Sequence, residues 1–100
     1  MYLESCGYEI LETNFYSHHG EIDIIAKEQQ TLVFVEVKYR RDASRGYPWE
    51  AVNWHKQQHM YYTAKYYMLT HGYFSDTQCR FDVISILGED IQLFKNAFSV

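Results

Sequence analysis

The chain has 100 residues, of which 47% are hydrophobic and 22% are charged, and its formal net charge at pH 7 is −4. This length and composition predict a single globular domain over residues 1–100. The acidic balance argues against tight nucleic-acid binding by a monomer, because proteins of that class usually present a basic surface to the phosphates.

Membrane and secreted proteins are disfavoured by the same sequence. No apolar run approaches the ~20 residues that a membrane helix needs. The first residues, Met1 to Ser5, contain neither the basic region nor the apolar core of a signal peptide. Cys6 and Cys79 are too few for a disulfide framework, so we expect reduced thiols and a cytoplasmic location.

A short helix and a strand are predicted at the start of the chain. Residues 1–7 have the pattern of a helix tail that ends in glycine. Residues 8–14 alternate as a strand does, and residues 17–20 form a turn into the next strand. His18 and His19 in that turn are either metal ligands or exposed turn residues, and we favour the second interpretation.

The centre of the chain predicts a β-hairpin. Residues 20–26 and 31–39 are rich in β-branched and aromatic residues, and only a short turn separates them. With the turn at residues 29–30, Asp23 lies directly opposite Glu36. One face of this hairpin is predicted to be apolar and to carry Ile22, Ile24, Val33, Val35 and Val37.

The other face of the hairpin predicts a metal site. The adjacent carboxylates of Asp23 and Glu36 repel each other unless a cation lies beside them, and hard oxygen ligands suit Mg²⁺ or Mn²⁺. Lys38, on the same face and opposite Glu21, is placed to orient a water or to stabilise charge on a phosphate. The strand before Glu36 is apolar on both faces, so it should be central in its sheet and shelter these charges. An exposed pair of opposite charges is the alternative for Glu36 and Lys38.

A polar loop and a long helix are predicted after the hairpin. The loop begins with Arg40 and Arg41, and a basic rim of this kind suits a phosphodiester substrate. The helix is predicted from Pro48 to about residue 70, where a His-Gly pair ends it. His55 and His59 have a spacing that suits zinc, but no third ligand accompanies them and a polar helix flank is the favoured interpretation.

Two further strands complete the predicted sheet. Residues 80–87 alternate, and residues 91–95 follow a Gly-Glu-Asp turn. Asp82 either supports the metal site or, as we favour, forms a salt bridge with Arg80 or Lys95. The predicted fold class is therefore α/β, a mixed central β-sheet of about five strands with a long helix packed on it.

An aspartate followed by Glu-x-Lys on the next strand resembles the PD-(D/E)XK nuclease pattern, here Asp23 and Glu36-Val37-Lys38. The runs 20–26, 32–38 and 80–83 resemble the YraN-like family, small bacterial proteins that are similar to archaeal Holliday-junction resolvases. The resemblance covers nearly the whole chain and implies a restriction-endonuclease-like fold. In that family a longer first helix with a further acidic residue precedes this point, so the chain is expected to be truncated at its N-terminus.

The resemblance also implies an activity, a Mg²⁺- or Mn²⁺-dependent endonuclease on DNA, with branched DNA among the candidate substrates. Asp23, Glu36 and Lys38 would be catalytic, and the metal ligands would be Asp23, Glu36 and the backbone carbonyl of Val37. Lys56 and Gln57 match a Lys-Gln pair that is frequent in the family, although a solvated helix face is an equal alternative. The residues expected to contact substrate are Glu21, Arg40, Arg41, Lys56 and Gln57.

Two other functions are compatible with the sequence. A nuclease-like fold that no longer cuts would serve as a nucleic-acid-binding or protein-interaction module, which the acidic net charge and the shortened first helix favour. Loss of that helix would also bare one side of the sheet, so we expect a homodimer or higher oligomer. The many aromatic side chains suit base stacking or burial, and core plus interface is favoured.

Overall fold

The computed structural model of the protein describes residues 2–40 and 52–99. These residues form one five-stranded mixed sheet and two helices. In chain order the elements are α1 (Tyr2–Ser5), β1 (Glu9–Ser17), β2 (Gly20–Glu28), β3 (Thr31–Arg40), α2 (Trp54–Thr70), β4 (Cys79–Leu87) and β5 (Asp90–Phe98). The predicted restriction-endonuclease-like α/β class, a mixed sheet with a long helix packed on it, is confirmed.

The strands lie in the sheet in the order in which they occur in the chain. The pairs β1–β2, β2–β3 and β4–β5 are antiparallel, whereas β3 and β4 are parallel and keep one register from Leu32 opposite Cys79 to Arg40 opposite Leu87. Parallel neighbours need a crossover connection, and α2 lies in that connection.

The core has two parts, one on each face of the sheet. Phe34 and Val83 belong to the cluster beneath α2, together with Met60 of that helix. Val33 and Val35 belong to the cluster on the opposite face. Because β3 sends fully buried side chains to both faces, it is the central strand that its apolar sequence predicts.

The predicted alternation of β2 is wrong at one position. Ile22 packs with Ile25 beneath α2, whereas Ile24 belongs to the cluster on the opposite face. The facing part of β1 is also irregular: Asn14, between the partners of Ile24 and Ile22, has a φ of 52°. The local change of direction leaves Asp23 between the two isoleucines, at the point where β2 separates from β3.

The predicted start of the long helix is also wrong. Val52 and Asn53 are not helical, and α2 begins at Trp54. Asn53 is the N-cap, since its Oδ1 accepts a hydrogen bond from the backbone N–H of Lys56 at 2.9 Å. Pro48 lies outside the described residues. The predicted end near residue 70 is confirmed by a C-cap at His71.

The described residues also bear on the expectations about membrane helices and disulfides. Neither α1 nor α2 is long and apolar enough to cross a bilayer. Cys6 and Cys79 are both free thiols, as their small number predicts.

Candidate metal centre

Asp23 and Glu36 meet at the point where the β2–β3 ladder ends. The ladder runs from Glu28 opposite Thr31 to Ile24 opposite Val35. Beyond that point a hydrogen bond from the backbone of β3 to a side chain of β2 takes the place of backbone pairing. Oδ2 of Asp23 accepts a hydrogen bond from the backbone N–H of Val37 at 2.8 Å. The carboxyl group of Asp23 lies close enough to that of Glu36 to raise its pKa, so the structure brings the two predicted acids together.

Glu36 is buried and incompletely paired. Its exposed fraction is 5%, and Nζ of Lys56 lies 3.1 Å from its Oε2. Within the described residues, however, no hydrogen bond of good geometry reaches that oxygen. Burial raises the pKa of Glu36 to about 7, and the Asp23 carboxyl adds to the effect while Lys56 opposes it. The acid pair therefore retains a proton close to neutral pH.

The N-terminal turn of α2 brings a cation to the acid pair. The Asn53 cap orients this turn, and Lys56 extends from it to Glu36. The neighbouring Gln57 is tied to the backbone instead, since its Nε2 donates to the carbonyl oxygen of Val52 at 2.9 Å. Of the two residues that the family pattern assigns to substrate, Lys56 reaches the acids and Gln57 holds the segment before the helix.

The other predicted site residues surround the pair unevenly. Lys38 lies on the same face of β3 as Glu36, because the β3–β4 register is regular over this strand, and it is half-buried. Arg40 is half-buried at the end of β3. The backbone N–H of Val37 is bonded to Asp23. Arg41 lies outside the described residues.

Glu21 has a different neighbour from the predicted one. The β2–β3 ladder does not extend to Glu21 and Lys38, because β2 leaves β3 after Ile24. Glu21 lies opposite Tyr16 of β1, and its hydrogen bond to that side chain, together with the charge of Asp23, raises the pKa of Tyr16. Sequence reasoning missed Tyr16, although a hairpin turning at residues 18–19 would have placed it opposite Glu21.

A divalent cation fits these donors in charge and in type. Mg²⁺ is commonly held by one or two carboxylates, with other oxygens and waters completing six ligands. The buried Oε2 of Glu36, which has the Lys56 amine at 3.1 Å as its counter-charge, is such a donor, and Asp23 supplies the second carboxylate. The described residues contain no group of three or more His, Cys, Asp or Glu that could hold a metal. A cation here would thus rest on two carboxylates, backbone oxygen and water.

The remaining acid of the sequence pattern is not part of this centre. Asp82 faces the cluster on the opposite side of the sheet, where Nε of Arg80 donates to its Oδ1 at 3.0 Å and the Tyr8 hydroxyl donates to its Oδ2 at 2.7 Å. The favoured interpretation of Asp82 as the partner of Arg80 is therefore confirmed.

Comparison with known proteins identifies relatives that match nearly the whole chain, including the candidate metal centre. Residues 1–86 match the model of a family described as uncharacterised protein family UPF0102. A UPF0102 protein of Lachnoclostridium phytofermentans is 50% identical over 97 residues, which cover 97% of this chain and 82% of the relative. One from Persephonella marina is 43% identical over 99 residues, covering 99% and 84%. One from Desulforapulum autotrophicum is 45% identical over 101 residues, covering 97% and 83%.

Proposed function

The chain belongs to the uncharacterised protein family UPF0102, the YraN-like group of the PD-(D/E)XK superfamily, and from this premise we propose that it is a Mg²⁺- or Mn²⁺-dependent phosphodiesterase that cuts DNA. The observation that carries the proposal is the state of Glu36, a buried carboxylate that lies beside a second carboxylate and whose Oε2 has the Lys56 amine at 3.1 Å but no hydrogen bond of good geometry. A buried carboxylate beside a second one is unfavourable for folding, and a cation held by both acids would relieve their repulsion.

The roles of the residues follow from their positions. Asp23 and Glu36 would hold the ion, with the backbone carbonyl of Val37 as a further ligand. When bound there, a divalent ion supplies a water of lowered pKa and a positive charge for the phosphate. Lys38, on the Glu36 face of β3, would hold the attacking water or the charge that develops on the phosphate.

The cations around the acid pair support a phosphodiester substrate. Lys38 and Arg40 follow Glu36 on β3, and Lys56 approaches it from α2. In a chain of net charge −4, such a local group is what attracts a phosphate to an acidic centre. If Asp23 and Glu36 held a cation, Lys56 would no longer be needed as their counter-charge, and its amine would be available to the phosphate.

Calorimetric titration with Mg²⁺ and Mn²⁺ tests the centre. We expect a binding heat from the wild type that Asp23→Ala and Glu36→Ala each abolish. Glu89→Ala is the matched control, because it removes an exposed acid from the β4–β5 turn. Equal heats from all four proteins would contradict the proposal.

Incubation with supercoiled, branched and single-stranded DNA tests the chemistry. We expect the wild type to cleave DNA and the Lys38→Ala variant to have lost this activity. Lys27→Ala, which removes an exposed lysine near the other end of the β2–β3 hairpin, should cleave as the wild type does. Cleavage that survives Lys38→Ala would place the activity outside this site.

A second candidate function, a nuclease fold that binds without cutting, is favoured by the ion pair of Glu36. The amine of Lys56 already gives this carboxylate a counter-charge within the protein, and an ion is then not needed for charge balance. This candidate predicts DNA binding with no heat of metal binding and no cleavage. The calorimetric titration and the cleavage assay therefore separate it from the first.

A further inference from the structure

One side of α2 presents aromatic and imidazole rings that lie in contact with the β1–β2 turn. The ring centroids of His18 and His19 are 3.9 Å apart, those of His19 and Tyr62 5.6 Å, and those of His18 and Tyr66 6.4 Å. His59 closes the group against the same turn, since a Cβ built on Gly20 would lie 3.4 Å from its Cβ. We call this surface the tyrosine–histidine face; its members are His18, His19, His59, Tyr62 and Tyr66.

The core does not account for this face. Tyr62 and Tyr66 expose 49% and 41% of their surface, while Tyr67, the next tyrosine on α2, is 4% exposed and packs in the cluster beneath the helix. The tyrosines predicted for core and interface are thus divided between two sides of one helix. Scattered exposed aromatic side chains are ordinary, but a contiguous group of rings indicates a binding surface.

The charge of α2 is opposite to that of the protein. Its 17 residues include Lys56 and Lys65 but no aspartate or glutamate, although the chain has 13 acidic residues and a net charge of −4. A phosphate backbone would be repelled by most of this protein and attracted along this helix. Lys56 is also the residue that contacts Glu36, so the face continues from the candidate metal centre.

We propose that the tyrosine–histidine face binds unpaired nucleotides, with bases stacked on Tyr62 and Tyr66 and phosphates held by Lys65 and, once a cation is bound at the acid pair, by Lys56. The inference rests on the proposed function and narrows its substrate to DNA with a single-stranded segment, which α2 leads to Asp23 and Glu36. Stacking on aromatic side chains beside a positive track is the general mode of binding single strands. A second copy of the chain is the less favoured occupant, because two α2 helices packed on this face would bring their lysines together.

Fluorescence anisotropy in the presence of EDTA tests the proposal without requiring a metal or cleavage. The probes are a labelled oligothymidine of about 15 nucleotides, within the usual range of site sizes, and a duplex of equal length. We expect the wild type to prefer the single strand. Tyr62→Ala with Tyr66→Ala should weaken its binding by about tenfold or more, and Tyr62→Phe with Tyr66→Phe should retain it.

Two further variants make the result independent of a folding defect in α2. His18→Ala with His19→Ala alters the turn alone and should also weaken binding of the single strand. Phe74→Ala is the matched control, because it removes an 80% exposed ring beyond the end of α2 and should leave binding unchanged.

Several outcomes would overturn the proposal. One is that the wild type does not bind the oligonucleotide at low salt. Another is that the tyrosine-to-alanine and histidine-to-alanine variants bind it as well as the wild type does. A lower mass of these variants by light scattering, with oligonucleotide binding unchanged, would assign the face to a second copy. Binding that depends on the tyrosines, in a protein that never cuts, would refute the proposed nuclease while supporting the nucleotide face.

Discussion

Two carboxylates are buried on neighbouring positions of adjacent strands, and the structure treats them in opposite ways. Asp82 of β4 is fully buried and Glu36 of β3 is 5% exposed. Asp82 accepts hydrogen bonds from Arg80, from the Tyr8 hydroxyl and from the backbone N–H of Asn96 at 2.9 Å. Glu36 lies beside another acid, and its counter-charge, the Lys56 amine 3.1 Å from Oε2, makes no hydrogen bond of good geometry to it.

The difference separates a structural charge from a functional one. Arg80 balances Asp82 and also donates to Glu28 at 2.6 Å, which Lys95 in turn contacts at 2.8 Å. This network is formed among the described residues and links β2, β4 and β5. Glu36 instead retains a raised pKa even with Lys56 beside it, an arrangement that lowers stability and that proteins keep where a ligand or a reaction needs it.

Arg80→Ala should have the largest effect, because it leaves Asp82 charged, fully buried and without its main partner. We expect the free energy of unfolding to fall by about 3–5 kcal/mol, measured by urea denaturation at pH 7. Arg80→Lys keeps the charge but not the forked donors, so its free energy of unfolding should lie between those of Arg80→Ala and the wild type. A loss below about 1 kcal/mol for Arg80→Ala would show that the network does not depend on this charge.

Glu36→Gln should raise the free energy of unfolding at alkaline pH, which is opposite in sign to the effect of Arg80→Ala. The pKa of Glu36 is about 7 in the folded protein and its ordinary value is 4.5, so the folded state holds this proton more tightly than the unfolded state. Wild-type stability therefore decreases as the pH rises from 4.5 through 7. The stability of Glu36→Gln relative to wild type should increase by about 1–3 kcal/mol between pH 5 and pH 8.

The control for this experiment is Glu89→Gln, which changes an exposed acid. Its stability relative to wild type should show little change over the same pH range, as followed by urea denaturation without divalent ions. A Glu36→Gln difference that does not depend on pH would mean that Glu36 is ionised in the folded protein as easily as in the unfolded chain.

Metal affinity should show the same titration, on the premise that the acid pair holds the ion. A carboxylate must be deprotonated to bind a cation, so the affinity for Mg²⁺ should rise by about tenfold from pH 6 to pH 8, given the Glu36 pKa of about 7. Calorimetry in buffers of different ionisation enthalpy should also detect release of a proton on binding below pH 7. An affinity that is flat across this range would exclude Glu36 from the ligands.

Lys95→Ala should have the smallest effect, because this lysine lies at the rim of the Asp82 network. Its side chain is 51% exposed although it bonds to Glu28 at 2.8 Å, and exposed ion pairs contribute little. We expect a loss of about 0–1 kcal/mol by urea denaturation at pH 7, well below that of Arg80→Ala. Comparable losses from the two variants would mean that burial does not set the strength of these pairs.

Much of the hairpin that carries the candidate centre could be predicted from local pattern. The alternation and the turn at residues 29–30 gave the register that brings Asp23 to Glu36, and the apolar run before Glu36 correctly placed β3 in the middle of the sheet. Both signals are short-range, because register follows from turn position and burial follows from the composition of a single strand.

The predictions were wrong where contacts between distant parts of the chain determine the local structure. The change of face between Ile22 and Ile24 depends on an irregular β1 and on a side chain that replaces ladder pairing. The start of α2 depends on which polar residue caps it, and Asn53 does so rather than a residue near the proline. Lys56 was expected to meet substrate, whereas only the packing of α2 over the sheet shows that it meets Glu36 first.

The sequence by itself determined the strands, the long helix, the fold class and the two acids that belong together, because these follow from periodicity and from neighbours along the chain. The tertiary structure alone decided that the Tyr8 hydroxyl and the backbone N–H of Asn96 complete the partners of Asp82, and that Lys56 meets Glu36. Arg80 lies two residues from Asp82 in the sequence and could be predicted as its partner, whereas Tyr8 reaches Asp82 and Asp23 reaches Glu36 only through the fold. Hydrogen bonding and desolvation act over a few ångströms between residues far apart in the chain, so they are set by the fold.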